Sequence, residues 1–423
     1  MAKSTDDASL AAIERHGNVV GLLSQADDVF GDTVALRREL HRWPEIGNHL
    51  PTTREQVLGA LEGLPLDITL HESTSGIVAT LTGDKPGDTV LLRGDMDALP
   101  MPEDTDVDFS SANENRMHAC GHDMHTSMLV ASAKILSARK SDITGRVMFM
   151  FQPGEEGYGG AVFMLNEGML DATPLSNGQA SPITGAFAMH MTPNIPAGMV
   201  GIRPGPTMAS SDTLIITITG KGGHASAPHQ ALDPVPVACE IVQALQTLVT
   251  RRIDVFDPGV ITVTNIHAGT AYNVIPETVE IKGTMRAISE RTREKIHEGI
   301  QRVADGIAAA HEMTATVDLV RGYPVTVNDD NFAAFAHDVG CAVMGDKNVI
   351  SMPHPVMGAE DFSYVLHKLP GAMMFVGATP DGANPATAAP NHSNRAIFNE
   401  EGMRKGSAMY AAVALRHLGV RLS

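Results

Sequence analysis

Arg146–Gly160 reads RVMFMFQPGEEGYGG. Its first half is apolar almost without a break, which marks a strand buried on both faces, as in the interior of a sheet covered by helices. Its second half turns abruptly to Pro and Gly around Glu155 and Glu156. A buried strand that opens straight into paired acids sets chemistry at a strand end. Gly76–Thr82, Thr89–Asp95 and Gly185–Met191 also read as strands. Between them, His125–Lys140 (HTSMLVASAKILSARK) has helical apolar spacing and a basic end that suits a helix C-terminus. This alternation predicts an α/β fold, a mixed sheet flanked by helices. Leu170–Thr184, polar and rich in Ser, Asn and Pro, predicts a loop.

The pattern changes at Arg203–Pro206, RPGP. Asp212–Gly220 alternates (DTLIITITG). A helix near Val235–Arg252 follows, then strands over Val260–Ile266 and Glu277–Arg286, a helix over Arg291–Ala310 and a strand over Thr314–Val320. This β-α-β-β-α-β order is that of a compact two-layer unit. Around Tyr323–Pro324 the pattern of the first 205 residues returns, and a strand at Ala372–Gly377 and an amphipathic helix at Glu400–Leu418 close the chain. The expected architecture is one discontinuous α/β domain, residues 1–205 and 321–423, with a smaller domain, residues 206–320, inserted in it.

Composition narrows the partners more than the chemistry. The chain of 423 residues is 43% hydrophobic and 19% charged, as an ordinary globular protein is. Its formal net charge of −18 argues against nucleic acid or an anionic membrane, both of which reward clustered Lys and Arg. The 3 cysteines are few and widely spaced, which suits a reducing compartment and excludes a disulfide framework. No apolar run is long enough to span a membrane. The first residues, MAKSTDDASLAAIERHG, lack the basic-then-apolar pattern of a signal peptide and read as a short helical or loosely held extension. A cytoplasmic location is expected.

The densest group of donors is Met117–His125, MHACGHDMH, expected in a loop just ahead of a helix. Cys120 and His122 stand two apart, so in an extended stretch both side chains project to one side and can share a metal. A small core cysteine and a surface histidine are the plain alternative. In the Glu155–Glu156 pair, neighbouring residues point different ways. One can ligate a cation while the other takes a proton from a water that the cation has made acidic. Alone, the pair reads equally well as a solvated acidic turn. In Arg93–Pro100, RGDMDALP, Asp95 and Asp97 sit at a strand end, where open α/β sheets place their sites. They can ligate a metal or orient ligand histidines from behind, and the second role is the one expected. His190 (GAFAMHM) and His392 (APNHSNRAIF), taken singly, read as ordinary histidines. There is no G-x-S-x-G, no phosphate-binding G-x-x-x-x-G-K-[ST] and no H-E-x-x-H.

Taken in order, RRELHRWPEIG, RGDMDALP, MHACGHDMH, QPGEEGYGGA, GGHASAPH, NVIP, GTMR, MGAEDFSY and NHS resemble the hippurate hydrolase and indole-acetyl-amino-acid (auxin-conjugate) hydrolase branch of the aminoacylase-like dinuclear metallopeptidases. The resemblance implies a catalytic α/β domain with an inserted lid or dimerisation domain. It implies that Cys120, His122, Glu156, His190 and His392 hold two divalent ions (zinc, manganese, nickel or cobalt), that Cys120 bridges them, and that Glu155 is the general base. The wider family usually carries His-x-Asp in RGDMDALP. Here the position is Asp95-x-Asp97, so Asp95 is left out of the ligand set and Asp97 is kept as support. His224 in GGHAS resembles the histidine that reaches across a homodimer to polarise the scissile carbonyl of the partner subunit. Asn273 in NVIP and Arg286 in GTMR look like groups that grip the substrate; Glu360 in MGAEDFSY has no assigned role.

The implied reaction is hydrolysis of an N-acyl amino acid (hippurate-like, N-acetyl or aryl-acyl) to a carboxylic acid and a free amino acid. Within the family the alternatives are a metallo-dipeptidase or carboxypeptidase and an aminobenzoyl-glutamate hydrolase. From other classes come a cysteine hydrolase with Cys120 as nucleophile, which leaves Glu155, Glu156 and His392 idle, and a non-catalytic binding protein, which has no use for a base at Glu155. The acyl pocket is not legible in the residues.

Overall fold

The strand around RVMFMFQ runs over Thr144–Gln152 and lies inside an eight-stranded sheet in the computed structural model, which describes residues 19–171, 175 and 178–419. The N-terminal extension read from the sequence, and part of the Leu170–Thr184 loop, lie outside those residues. The sheet order is Leu66–Leu70, Ile77–Thr82, Thr144–Gln152, Lys85–Asp95, Ile183–Thr192, Gly371–Gly377, Val200–Ile202 and Val349–Ser351. The sheet is mixed. Lys85–Asp95 pairs in parallel with both of its neighbours, and Ile183–Thr192 in parallel with Gly371–Gly377. Ile77–Thr82 and Leu66–Leu70 join as antiparallel strands. The central strands are buried on both faces, as continuous apolar runs require, whereas Leu66–Leu70 is exposed along nearly its whole length.

Helices Val19–Arg42, His122–Ser137 and Glu401–His417 pack on one another and share one apolar cluster with the sheet. Among the residues of His122–Ser137, only Lys134 and Ser137 escape full burial. Small residues let its neighbour come close: a Cβ on Gly406 would collide with the sulfur of Met128. This helix starts at His122, three residues ahead of the start its apolar spacing suggested, and ends at Ser137. The second half of MHACGHDMH is therefore a helical first turn and not a loop.

The described chain divides into two units. The first runs to Gly205 and takes in Val327–Pro353 and the chain from Tyr364 on; the second is Pro206–Thr326 with His354–Ser363. In the second unit an antiparallel sheet, Gly259–Ala268, Thr278–Ala287, Asp212–Thr219 and Thr314–Arg321, packs on helices Pro234–Arg252 and Glu290–Ala310. Asp212–Thr219 alternates buried with more exposed residues, so one sheet face meets the helices and the other does not. No helix among the described residues is long and apolar enough to cross a membrane.

One buried ion cluster ties this second unit together. Asp212 accepts two hydrogen bonds from Arg293 at 2.6 and 2.8 Å, one from His297 at 2.8 Å and one from the Gly322 N–H at 3.0 Å. Burial opposes ionisation of Asp212, but the bonds from Arg293 and His297 outweigh it and hold the carboxyl well below the usual carboxylate range. Its contribution is therefore fully present above the ordinary aspartate value of about 4 and is lost as pH falls towards the folded value. Removing one partner of such a pair strands the other. Asp212→Asn is expected to lower stability by about 3–5 kcal/mol at neutral pH, and by less as the pH is taken below about 4. Urea unfolding across that pH range measures both.

Candidate metal centre

The parallel strands Thr144–Gln152, Lys85–Asp95 and Ile183–Thr192 are neighbours, in a register that sets Asp95 opposite Gln152 and Arg93 opposite Ala188. Their carboxyl ends therefore discharge side by side. Asp95 and Asp97 leave one, Glu155 and Glu156 another, and His190 lies near the end of the third. Cys120 and His122 arrive from the helix start. Gly121 turns the chain there with φ +86°, a conformation glycine adopts without strain. That left-handed turn, and not the alternation of an extended stretch, brings Cys120 and His122 to one pocket.

Of the donor groups compact enough to hold an ion, three gather around Cys120, His122 and Glu156. The ligand atoms of Cys120, His122 and His190 lie within 4.8 Å of one another, as do those of Cys120, Glu156 and His392, and those of His122, Glu155 and Glu156. Cys120 belongs to the first two. Its sulfur is 3.4 Å from His190 Nε2, and Glu156 Oε1 is 3.1 Å from His392 Nε2. His190 Nδ1 donates to the Met191 carbonyl at 2.9 Å, leaving Nε2 for the pocket. His392 sits on a loop held by its own N–H, which donates to the Ala119 carbonyl at 2.9 Å, and by Asn391, which donates to the carbonyls of Cys120 and Met191. Its backbone adopts φ +67°, a strained choice for a residue with a Cβ and one that clusters at functional positions.

The aspartates stand behind these donors. Asp97 accepts the backbone N–H groups of Glu155 and Glu156 at 2.9 and 3.0 Å, and its carbonyl accepts from His122 Nδ1 at 2.8 Å. Asp95 is fully engaged: one oxygen takes His125 Nδ1 at 2.6 Å and the other Arg93 at 2.6 Å. His125 Nε2 accepts the Met191 N–H at 2.7 Å, so both of its nitrogens are spent. Arg93 is wholly buried and also donates to Gln152 at 2.9 Å. The sequence reading missed Arg93, His125 and Asn391. Arg93 and His125 lie inside RGDMDALP and MHACGHDMH, but nothing in their spacing tells a ligand from a brace.

The pocket's charge suits cations. His122 Nε2 is buried with no hydrogen-bond partner. Burial opposes a charged His122 ring, yet Asp95, Asp97 and Glu156 outweigh it and lift its pKa to about 10. Burial also pushes the Cys120 thiol up, and Glu156, Glu155 and Asp95 push the same way. A bare nucleophilic thiolate is thus disfavoured, whereas a divalent ion would neutralise both problems. The mixed thiolate, imidazole and carboxylate donors fit a transition-metal or zinc ion.

The second unit carries the other candidates. His224 is exposed and paired through its strand with Val274, beside Asn273, whose carbonyl accepts from the Ala225 N–H at 3.1 Å. His224 Nδ1 accepts the Ser226 N–H at 3.1 Å, which leaves Nε2–H as an outward donor. Arg286, half-buried on Thr278–Ala287, donates to the Met285 carbonyl and to Thr284 Oγ1. Glu360 is buried, and its carboxylate accepts the Phe362 N–H at 2.9 Å.

The sequence profile of peptidase family M20/M25/M40 matches residues 91–416. The chain belongs to this family. It is 36% identical over 401 residues to "IAA-amino acid hydrolase ILR1-like 4" of Arabidopsis thaliana, across 94% of this chain and 88% of that one. It is 34% identical over 387 residues to "Thermostable carboxypeptidase 1" of Saccharolobus solfataricus, across 90% and 94%. Among solved structures, the Bacillus subtilis YXEP protein, described as a dinuclear metal binding peptidase from the M20 family, superimposes with a TM-score of 0.79 at 29% identity, covering 93% of this chain and 99% of that one. This M20-family chain is thus a hydrolase of amide bonds that uses divalent metal. Asp97→Asn, which replaces one of the two oxygens that accept from the glutamate backbones, is expected to weaken metal binding about 10–100-fold with the fold retained. Competition with a chelating indicator measures the affinity.

Proposed function

We propose that the protein is an N-acyl-amino-acid amidohydrolase with two divalent ions per subunit. The observation that carries this reading is Cys120, shared by two three-donor groups with Glu155 alongside. Cys120, His122 and His190 would hold one ion, and Cys120, Glu156 and His392 the other. The thiolate argues against magnesium and for zinc, manganese, nickel or cobalt. When bound, such ions supply Lewis acidity that brings the pKa of water towards neutrality and polarises a carbonyl.

The chain's own residues do the rest. Glu155, held by Asp97 through its backbone, takes a proton from the attacking water and returns it to the leaving amine nitrogen. His224 offers Nε2–H to the carbonyl oxygen as negative charge develops there, from the neighbouring subunit of a homodimer formed through the inserted lid domain, residues 206–320. Asn273 and Arg286 grip the α-carboxylate of the amino acid, which Arg can hold by two parallel bonds. The carboxypeptidase relative favours a second reading, in which the leaving group is the last residue of a peptide.

A panel of benzoyl-, acetyl-, indole-acetyl- and aminobenzoyl-amino acids, set beside blocked and free dipeptides, separates the two. Turnover of acyl amino acids, abolished by a chelator and restored by a defined metal, is the expected result; activity on peptides alone sinks the first reading. Glu155→Ala should keep its metal and lose turnover by about 10²–10⁴-fold or more. Mixing that variant with His224→Ala should restore partial activity after subunit exchange, and none if each site is complete within one chain.

A further inference from the structure

Arg37–Gly47, RRELHRWPEIG, supplies neither a metal donor nor a base, yet it reaches the back of the metal centre. His41, on helix Val19–Arg42, is buried between two carboxylates. Its Nδ1 is 2.8 Å from Asp123 Oδ2 and its Nε2 is 3.1 Å from Glu103 Oε1. A carboxylate offers no proton to a ring nitrogen, so both nitrogens donate and the ring is an imidazolium. Arg37 adds Nε at 2.8 Å to the same Asp123 oxygen, stands 3.5 Å from His41 Nδ1, and contacts Glu400 at 3.3 Å. Phe109 lies edge-on to the His41 ring, and the His118 ring is 6.2 Å away.

Asp123 is the residue after His122. Successive helical residues point about 100° apart, so the two side chains leave the first turn in different directions. His122 is bonded to Asp97 at the sheet end, and Asp123 to helix Val19–Arg42. The turn needs such support, because Gly121 gives the helix no side-chain cap. Asp123 meets part of that need by accepting the Met124 N–H at 3.0 Å, and its charge complements the helix dipole. A carboxylate with no solvent exposure must be matched by cations, and Arg37 and His41 supply them.

We propose that His41 is a positioning residue of the metal centre, acting through Asp123 on the bearing of His122. The inference rests on the reading of Cys120 and His122 as metal ligands. Two neutral substitutions separate positioning from mere stability. The amide nitrogen of His41→Asn falls where Nδ1 stands, so it keeps Asp123 and releases Glu103. That of His41→Gln falls where Nε2 stands, so it keeps Glu103 and releases Asp123. Both remove the same charge from the same site.

Full-length protein is loaded with cobalt(II), and the thiolate charge-transfer and visible bands are recorded beside cobalt affinity and steady-state kinetics. The expected result is a shifted spectrum, cobalt affinity and kcat down about 10–100-fold, and little change in KM for His41→Gln, with His41→Asn like the wild type. Equal spectra and affinities in the two variants overturn the proposal. If His41→Gln does not fold, Glu103→Ala decides: it removes the acceptor on the far side of the ring and leaves Asp123 held. A wild-type spectrum then supports the proposal and a shifted one overturns it. A wild-type protein without any cobalt–thiolate band overturns both this inference and the reading on which it rests.

Discussion

A single aspartate organises the pocket. Asp97 gathers the N–H groups of Glu155 and Glu156 on its two carboxylate oxygens and His122 Nδ1 on its carbonyl. The loop it holds is rich in glycine, with positive φ at Gly154, Gly157 and Gly159. Such a backbone has many conformations to lose, so a fixed acceptor at its root is what gives the two glutamates defined positions. Asp97 takes the two backbone amides on those oxygens, and His122 Nδ1 stands 3.5 Å from one of them, so its charge contributes directly to the field at His122.

Asp95, two residues before it, is spent differently. Arg93 and His125 use both of its oxygens, yet its charge still acts on His122, whose Nε2 lies 3.5 Å from Oδ2. Arg93 can be buried because its partners come from its own strand and the next: Asp95 and Gln152 accept from it. His125 passes the support on to the Met191 N–H, beside His190. The cluster is thus built in layers. Donors with unspent atoms face the pocket, and groups whose hydrogen bonds are complete stand behind them. Pairing Asp95 with Arg93 leaves the pocket's remaining carboxylates and the Cys120 thiol to be matched by something else, and divalent cations match them.

Much of the first unit was legible in the residues. RVMFMFQ, GAFAMHM and the run before Asp95 became buried strands because an unbroken apolar run has no solvated face to offer. Strands and helices of the second unit fell within a few residues of their expected places, since DTLIITITG and the 290–310 helix carry clear periods of two and of 3.6. The start of the helix at His122 was misjudged. Polar residues such as His122, Asp123 and His125 look like loop, and their burial depends on partners far away in the chain, Asp97, His41 and Asp95, which no local pattern reveals.

Primary structure alone determined the kinds of donor, their order along the chain and the strand ends that deliver them, because periodicity and donor chemistry are local properties. Three-dimensional packing decided the division of labour. His125 and His122 lie three residues apart on one helix, yet the first is fully hydrogen-bonded and the second keeps Nε2 bare. His190 and His392, unremarkable singly, join Cys120 only when Ile183–Thr192 lies beside Lys85–Asp95 and the 391–392 loop bonds to Ala119 and Cys120. Whether a buried polar group acts or braces is set by which of its hydrogen bonds are already made, and those bonds come from residues distant in the chain.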